Sequence, residues 1–252
     1  MSHALRSTAH PWPDGTPAGV WPADQLIRDV VPGIATGHAA LDAALPGGGW
    51  PPGALTELLL PAGQWPEWRL WLPALRTVAQ SGQIVLVGPP ALPNLQALTA
   101  LGLPPQALCQ IVTPTPQARG WASEQALRCP QVAAVLLWLP AGPPEPLRRL
   151  HLAAQAHPGG PLLFVCRPQA CAAVASPAPL RLQVHSQGTR GLSVSVLKRR
   201  GPPLRAPLQL SAPLPRLALL RPPARAASAQ VVPFLRPVVR HALDRPAPAR
   251  LG

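Results

Sequence analysis

The chain has 252 residues, 47% of them hydrophobic, with 39 prolines and a formal net charge of +13. That length supports a full α/β core, read as one domain with appendages. No apolar run nears the roughly 18 residues of a membrane helix, and Met1–Trp12 has no apolar signal core, which argues against export and for a cytoplasmic protein.

Residues 1–20 are polar, carry Pro11, Pro13 and Pro17, and read as a disordered N-terminus. Residues 21–30 suit a short helix opened by Pro22. A glycine run, Gly47–Gly49, reads as a tight turn between a short helix and the first strand. Strand candidates follow at 54–60, 83–88, 109–113, 132–139 and 161–166, all continuous apolar runs rather than alternating ones. Such runs belong to parallel strands covered on both faces. Between them, 66–80, 93–101, 117–128 and 144–157 read as helices, the first kinked or delayed by Pro73. The alternation predicts an open, mostly parallel sheet.

The pattern then changes. Leu180–Val184 and Leu192–Leu197 alternate apolar and polar residues around Gln187–Gly191, which predicts an antiparallel hairpin with one wet face. It ends in Lys198, Arg199 and Arg200, candidate contacts for nucleic acid or an acidic partner. The core is therefore placed at 21–200. Residues 201–252 hold eleven prolines and read as a flexible basic tail. Within it, Phe234, Val238 and Ala242, like Leu235, Val239 and Leu243, recur at i+4 and suit a short helix docking in a partner's groove.

Charge is segregated. Residues 1–160 carry eight arginines against eight acidic residues, whereas 161–252 carry thirteen arginines and Lys198 against Asp244 alone. A basic end suits an acidic partner. The competing reading is a soluble Arg/Pro tail, since Phe234 is its only aromatic ring. Cys109, Cys129, Cys166 and Cys171 form no CxxC pair and no zinc-ligand spacing, and read as reduced thiols mostly packed in the core.

Residues 33–60 resemble the lead-in to the phosphate loop of RecA-type ATPases, where a lysine reaches the β/γ phosphates and a Ser/Thr holds magnesium. Here the following residues are Pro61-Ala-Gly63-Gln-Trp65-Pro66-Glu67-Trp68-Arg69, and the chain's one lysine is Lys198. Proline donates no N–H, tryptophan is too bulky for a cradle, and Glu67 is expected to repel phosphate. The 132–139 strand ends in Trp138-Leu139-Pro140 where a magnesium-directed Asp belongs, and Pro89-Pro90 follow the second strand where a water-activating glutamate belongs. Three ATPase elements are missing together. The positions Pro61, Gly63, Trp65, Pro66 and Glu67 thus mark a degenerate loop, with no catalytic residue, cofactor or metal expected. Asp42 and Glu57 read as backbone caps or braces. The region after Cys166, around Arg167, is the position of a DNA-contacting loop in RecA-like proteins, but it is mostly Ala and Pro.

The segments Thr36–Pro51, Gly53–Pro61, Glu124–Arg128 and Leu197–Pro203 together resemble the ImuA family, translesion-synthesis-associated proteins of bacterial SOS mutagenesis cassettes, a group that overlaps with SulA-like proteins. The resemblance spans about Val20 to Leu210. It implies a RecA-like P-loop NTPase-type fold with a degenerate nucleotide site. The implied activity is that of a non-enzymatic accessory to SOS-induced, error-prone translesion DNA synthesis. Its partners would be ImuB, a Y-family-like protein without polymerase activity, and an error-prone DnaE-type polymerase, with RecA or DNA as further contacts. The alternatives are a SulA-like inhibitor binding the tubulin-like division protein, and an ATPase with a divergent site.

Overall fold

In a computed structural model of the chain, residues 31–213, apart from 92, 114, 157 and 158, are described here. They form an eight-stranded sheet in the order β3-β2-β4-β5-β1-β6-β7-β8. The strands are β1 (Leu55–Leu60), β2 (Gln83–Val87), β3 (Leu108–Ile111), β4 (Val132–Trp138), β5 (Leu162–Pro168), β6 (Leu180–Gln187), β7 (Gly191–Lys198) and β8 (Leu208–Ser211). The ladder from β3 through β6 is parallel, and β7 and β8 are added antiparallel. This is an α/β fold with a mostly parallel sheet, as the alternation of segments predicts.

The helices are α1 (Ala39–Ala44), α2 (Glu67–Val78), α3 (Leu95–Ala100), α4 (Pro116–Leu127) and α5 (Glu145–Ala154). Connections from β1 to β2 and β2 to β3 run one way across the sheet; those from β3 to β4 and β4 to β5 run the other way. Right-handed crossovers in opposite directions must lie on opposite faces. Accordingly α1, α2 and α3 pack on Leu58, Ile84, Leu86, Leu136 and Phe164, whereas α4 and α5 pack on Leu55, Val85, Val87, Leu137 and Val165. Adjacent residues of one strand thus serve two cores, which is why these strands are apolar without alternation.

Helix starts follow their local chemistry. The Asn94 side chain accepts from Ala97 N–H at 3.0 Å, and Thr115 accepts from Ala118 N–H at 3.2 Å with Pro116 next in line. Helix α2 starts at Glu67 and runs through Pro73, neither delayed nor ended there. Asp42 does brace backbone, accepting from Thr36 N–H at 2.7 Å.

The β6–β7 hairpin is antiparallel, and β7 buries Leu192, Val194 and Val196 while the residues between them are half-buried. The sheet does not end at residue 200: Leu208–Ser211 pair with β7 as β8, inside the segment expected to be tail. Its four residues between prolines are too short for a periodicity signal. Of the cysteines, Cys166 and Cys171 are buried and Cys109 and Cys129 exposed, so the expectation of mostly core thiols holds for half of them. The helix expected at 21–30 and the anchors Phe234, Leu235, Val238, Val239 and Leu243 lie outside the described residues.

Candidate functional site

In open α/β sheets, ligands bind beyond the carboxyl ends of the strands, where connections diverge to opposite faces. Here β1 sends its chain to the α2 face, while its neighbour β5 and next-but-one neighbour β4 belong to the run of opposite connections. At that point lies a cleft of about 630 Å³, lined by Pro61–Trp65 after β1, Gly88–Pro90 after β2, Trp138–Pro140 at the end of β4 and Cys166–Pro168 of β5. The three segments that depart from an ATPase pattern in sequence therefore converge on one cleft.

Trp138, which lines the cleft, belongs to an aromatic cluster. Trp138 stacks edge-on against Trp71 at 5.7 Å and lies 6.4 Å from Trp68, and Trp71 contacts Phe164 at 5.2 Å between ring centroids. Trp65 stands out of the loop at 55% exposure. Glu67, at the start of α2, does not face the cleft mouth as the repulsion argument expects. It is fully buried, and its Oε1 accepts from the Trp138 indole N–H at 3.3 Å. Its Oε2 has no protein partner. Burial pushes the Glu67 carboxyl up to about 7, against lowering contributions from its own backbone and from Trp138. Burial and, after it, the Glu67 carboxylate raise the Cys166 thiol well above its ordinary range.

The cations nearby are engaged with the protein. Arg69, the one cation in the Pro61–Arg69 segment, turns away from the cleft: it donates to Gly188 O at 3.2 Å, to Gly191 O at 3.0 Å and to Ala212 O at 2.7 Å. It ties α2 to the β7–β8 end of the sheet. Arg119 of α4 reaches across Gly88 and donates to Trp138 O at 3.1 Å. A Cβ at Gly88 would sit 2.5 Å from Arg119 Nε, so only glycine admits this guanidinium, and Gly88 also holds φ +62°. Arg167 donates to Glu57 Oε1 at 3.1 Å and to Gly142 O at 2.6 Å.

Glu57 is not a backbone brace. It is fully buried in β1, and its second oxygen accepts from Arg181 Nε at 2.6 Å. Register explains the triad: Glu57 lies opposite Arg181 on β6 and opposite Val165 on β5, two residues before Arg167. Arg167 is 3% exposed, so it belongs to this ion cluster and is not presented as a DNA contact. The pairing was hidden in the sequence because Glu57 precedes both arginines by more than a hundred positions; charged residues inside apolar strand runs were its only sign.

The basic strand end lies at the other end of the sheet. Lys198 Nζ donates to Ser176 O at 3.0 Å, Arg199 donates to Pro202 O at 2.8 Å and to Ala44 O, and Arg200 is exposed. These three residues and the Pro61–Glu67 loop are two separate sites. No cluster of His, Cys, Asp and Glu that could hold a metal occurs among the described residues. No protein-family model matches the chain, and no curated protein matches it in sequence.

Proposed function

We propose that the chain is a RecA-like core that has given up nucleotide chemistry and serves as a non-catalytic adaptor in SOS-induced, error-prone translesion DNA synthesis. Its partners in this reading are ImuB and an error-prone DnaE-type polymerase, with RecA or DNA as further contacts. The observation that carries the reading is the contact between Glu67 and Trp138. A residue at the start of the helix after the loop and a residue at the end of β4 would both face magnesium-phosphate in an ATPase. Here they bond to each other, and Trp138 packs against Trp68 and Trp71. Phosphoryl transfer depends almost wholly on positioning and charge stabilisation, and this cleft supplies neither a lysine nor a magnesium-directed carboxylate.

The closing hairpin β6–β7 with its basic end, and the ImuA-like segments at 33–60 and 197–203, support the same reading. Deleting the gene should lower damage-induced mutation frequency and survival after ultraviolet or alkylating treatment, with little effect on undamaged growth. A wild-type mutation frequency in the deletion strain rejects the adaptor. Filamentation on overexpression with unchanged mutagenesis would favour a division inhibitor instead.

A further inference from the structure

We propose that the cavity at the amino ends of β1 and β6 is a docking site for an acidic peptide segment bearing an aliphatic anchor side chain. The cavity measures about 320 Å³ and lies between Ala54, which precedes β1, Leu180, which opens β6, the end of α5 at His151 and Gln155, and Arg199–Arg200 beyond β7. It is at the opposite end of the sheet from the proline- and tryptophan-lined cleft, so it stands or falls independently of whether that cleft binds nucleotide.

Its two walls differ in chemistry. One is aliphatic: Val31, Leu45, Pro51, Pro52 and Leu180. The other carries two guanidinium groups, an imidazole and an amide, and among the described residues no carboxylate lines the cavity. Arg199 is held by the carbonyls of Pro202 and Ala44, which positions its planar fork before any ligand arrives. The His151 ring is oriented too: Leu55 N–H donates to Nδ1 at 3.3 Å, so the ring proton sits on Nε2 as a donor. Burial first, then Arg200 and Lys198, push His151 below the usual imidazole range, so it is a neutral donor near neutral pH. The carbonyl end of α5 offsets part of this positive field, but a helix end is equivalent to about half a charge against two full guanidinium charges.

Charge complementarity therefore selects an anion, and the aliphatic wall selects an apolar group attached to it. A peptide fits both better than a nucleic acid does. Among the described residues no Trp, Tyr or Phe lines the cavity, and its one ring, the His151 imidazole, is tied to Leu55 N–H, so bases find no large stacking platform, whereas a concave apolar wall is filled well by one anchoring side chain.

The test is selection of short random peptides displayed against the full-length protein, followed by anisotropy titration of the enriched peptides. The peptides should pair Asp or Glu with aliphatic residues. Val31 is 60% exposed and Arg200 is exposed, so Val31→Asp and Arg200→Glu leave the fold intact, which thermal melts would confirm. Each should weaken binding by about tenfold or more, the scale of one buried contact. Arg128→Glu, a charge reversal that does not line the cavity, should change it by less than about twofold. Enriched peptides without acidic residues, no enrichment at all, or equal affinity for the variants would overturn the assignment. So would an Arg200-dependent site that takes single-stranded oligonucleotide and no peptide.

Discussion

Trp138 covers Glu67: the indole N–H at the end of β4 lies 3.3 Å from a carboxyl oxygen at the start of α2, in an interior where the second oxygen has no protein partner. This acid is held in a place where its ionised form is disfavoured, which has a direct consequence for stability.

The Glu67 carboxyl is raised from 4.5 to about 7. The folded state then binds the proton more tightly than the unfolded state between those values, so stability falls as pH rises from 4.5 to 7 and is flat with respect to this group outside that window. The accumulated loss is about 3 kcal/mol. Glu67→Gln keeps an acceptor for Trp138 and removes the titration. Urea denaturation should show the variant more stable than wild type at pH 8 and nearly equal at pH 4.5. A wild-type stability that does not decline across this range would contradict the burial of the carboxyl.

Glu57 compensates two buried arginines, Arg167 and Arg181, at 3.1 and 2.6 Å. Glu57→Gln removes the only carboxylate in the cluster and leaves like charges in the interior. Breaking a buried pair by removing one partner costs about 3–5 kcal/mol. The expected outcome is a large drop in denaturation midpoint. A loss under about 1 kcal/mol, the range of exposed pairs, would show that water reaches the cluster.

Arg69→Ala cuts the bonds from α2 to Gly188, Gly191 and Ala212. Each lost bond to a charged donor is worth about 1.5–3 kcal/mol at most, and the carbonyls at this edge regain water. The effect should be local. Hydrogen exchange at β8 amides should accelerate well beyond that at β1, because β8 is the edge strand beside β7 and Arg69 holds Ala212, the residue that follows it. Equal acceleration throughout the sheet would argue against a local tie.

The cleft should not take nucleotide. Isothermal titration of the protein with Mg-ATP should give no saturable heat, and no phosphate release should exceed background. Low-micromolar affinity would overturn the reading of Pro61–Glu67 as a degenerate loop.

Anchors in the 231–243 segment should carry ImuB capture if the adaptor reading holds. Replacing Phe234, Leu235 and Val239 by Ala should abolish it, whereas replacing Arg245 and Arg250 should mainly change salt dependence, since exposed ion pairs are worth under ~1 kcal/mol. Full capture by a chain ending at Ser211, the last residue of β8, would move the partner surface onto the core.

Much of the architecture was readable in order along the chain. Runs such as Val132–Trp138 are apolar on both faces because two layers of helices cover them. The absence of lysine from the loop after β1 was equally plain, because residue type at a loop position is a local property. The role of Glu67 was not: its repulsion of phosphate assumed an exposed carboxyl, and only packing under Trp138 reveals a buried one. Glu57, Arg167 and Arg181 gave no spacing signal, because their meeting depends on the order and register of β5, β1 and β6. The same holds for β8 and for the cavity between His151 and Arg200. Local sequence determined which segments become strands and helices and which loop chemistry is absent. Long-range strand pairing decided which charges are buried, which partners compensate them, and which end of the sheet carries the exposed basic residues, since burial and ion pairing depend on neighbours brought from distant parts of the chain.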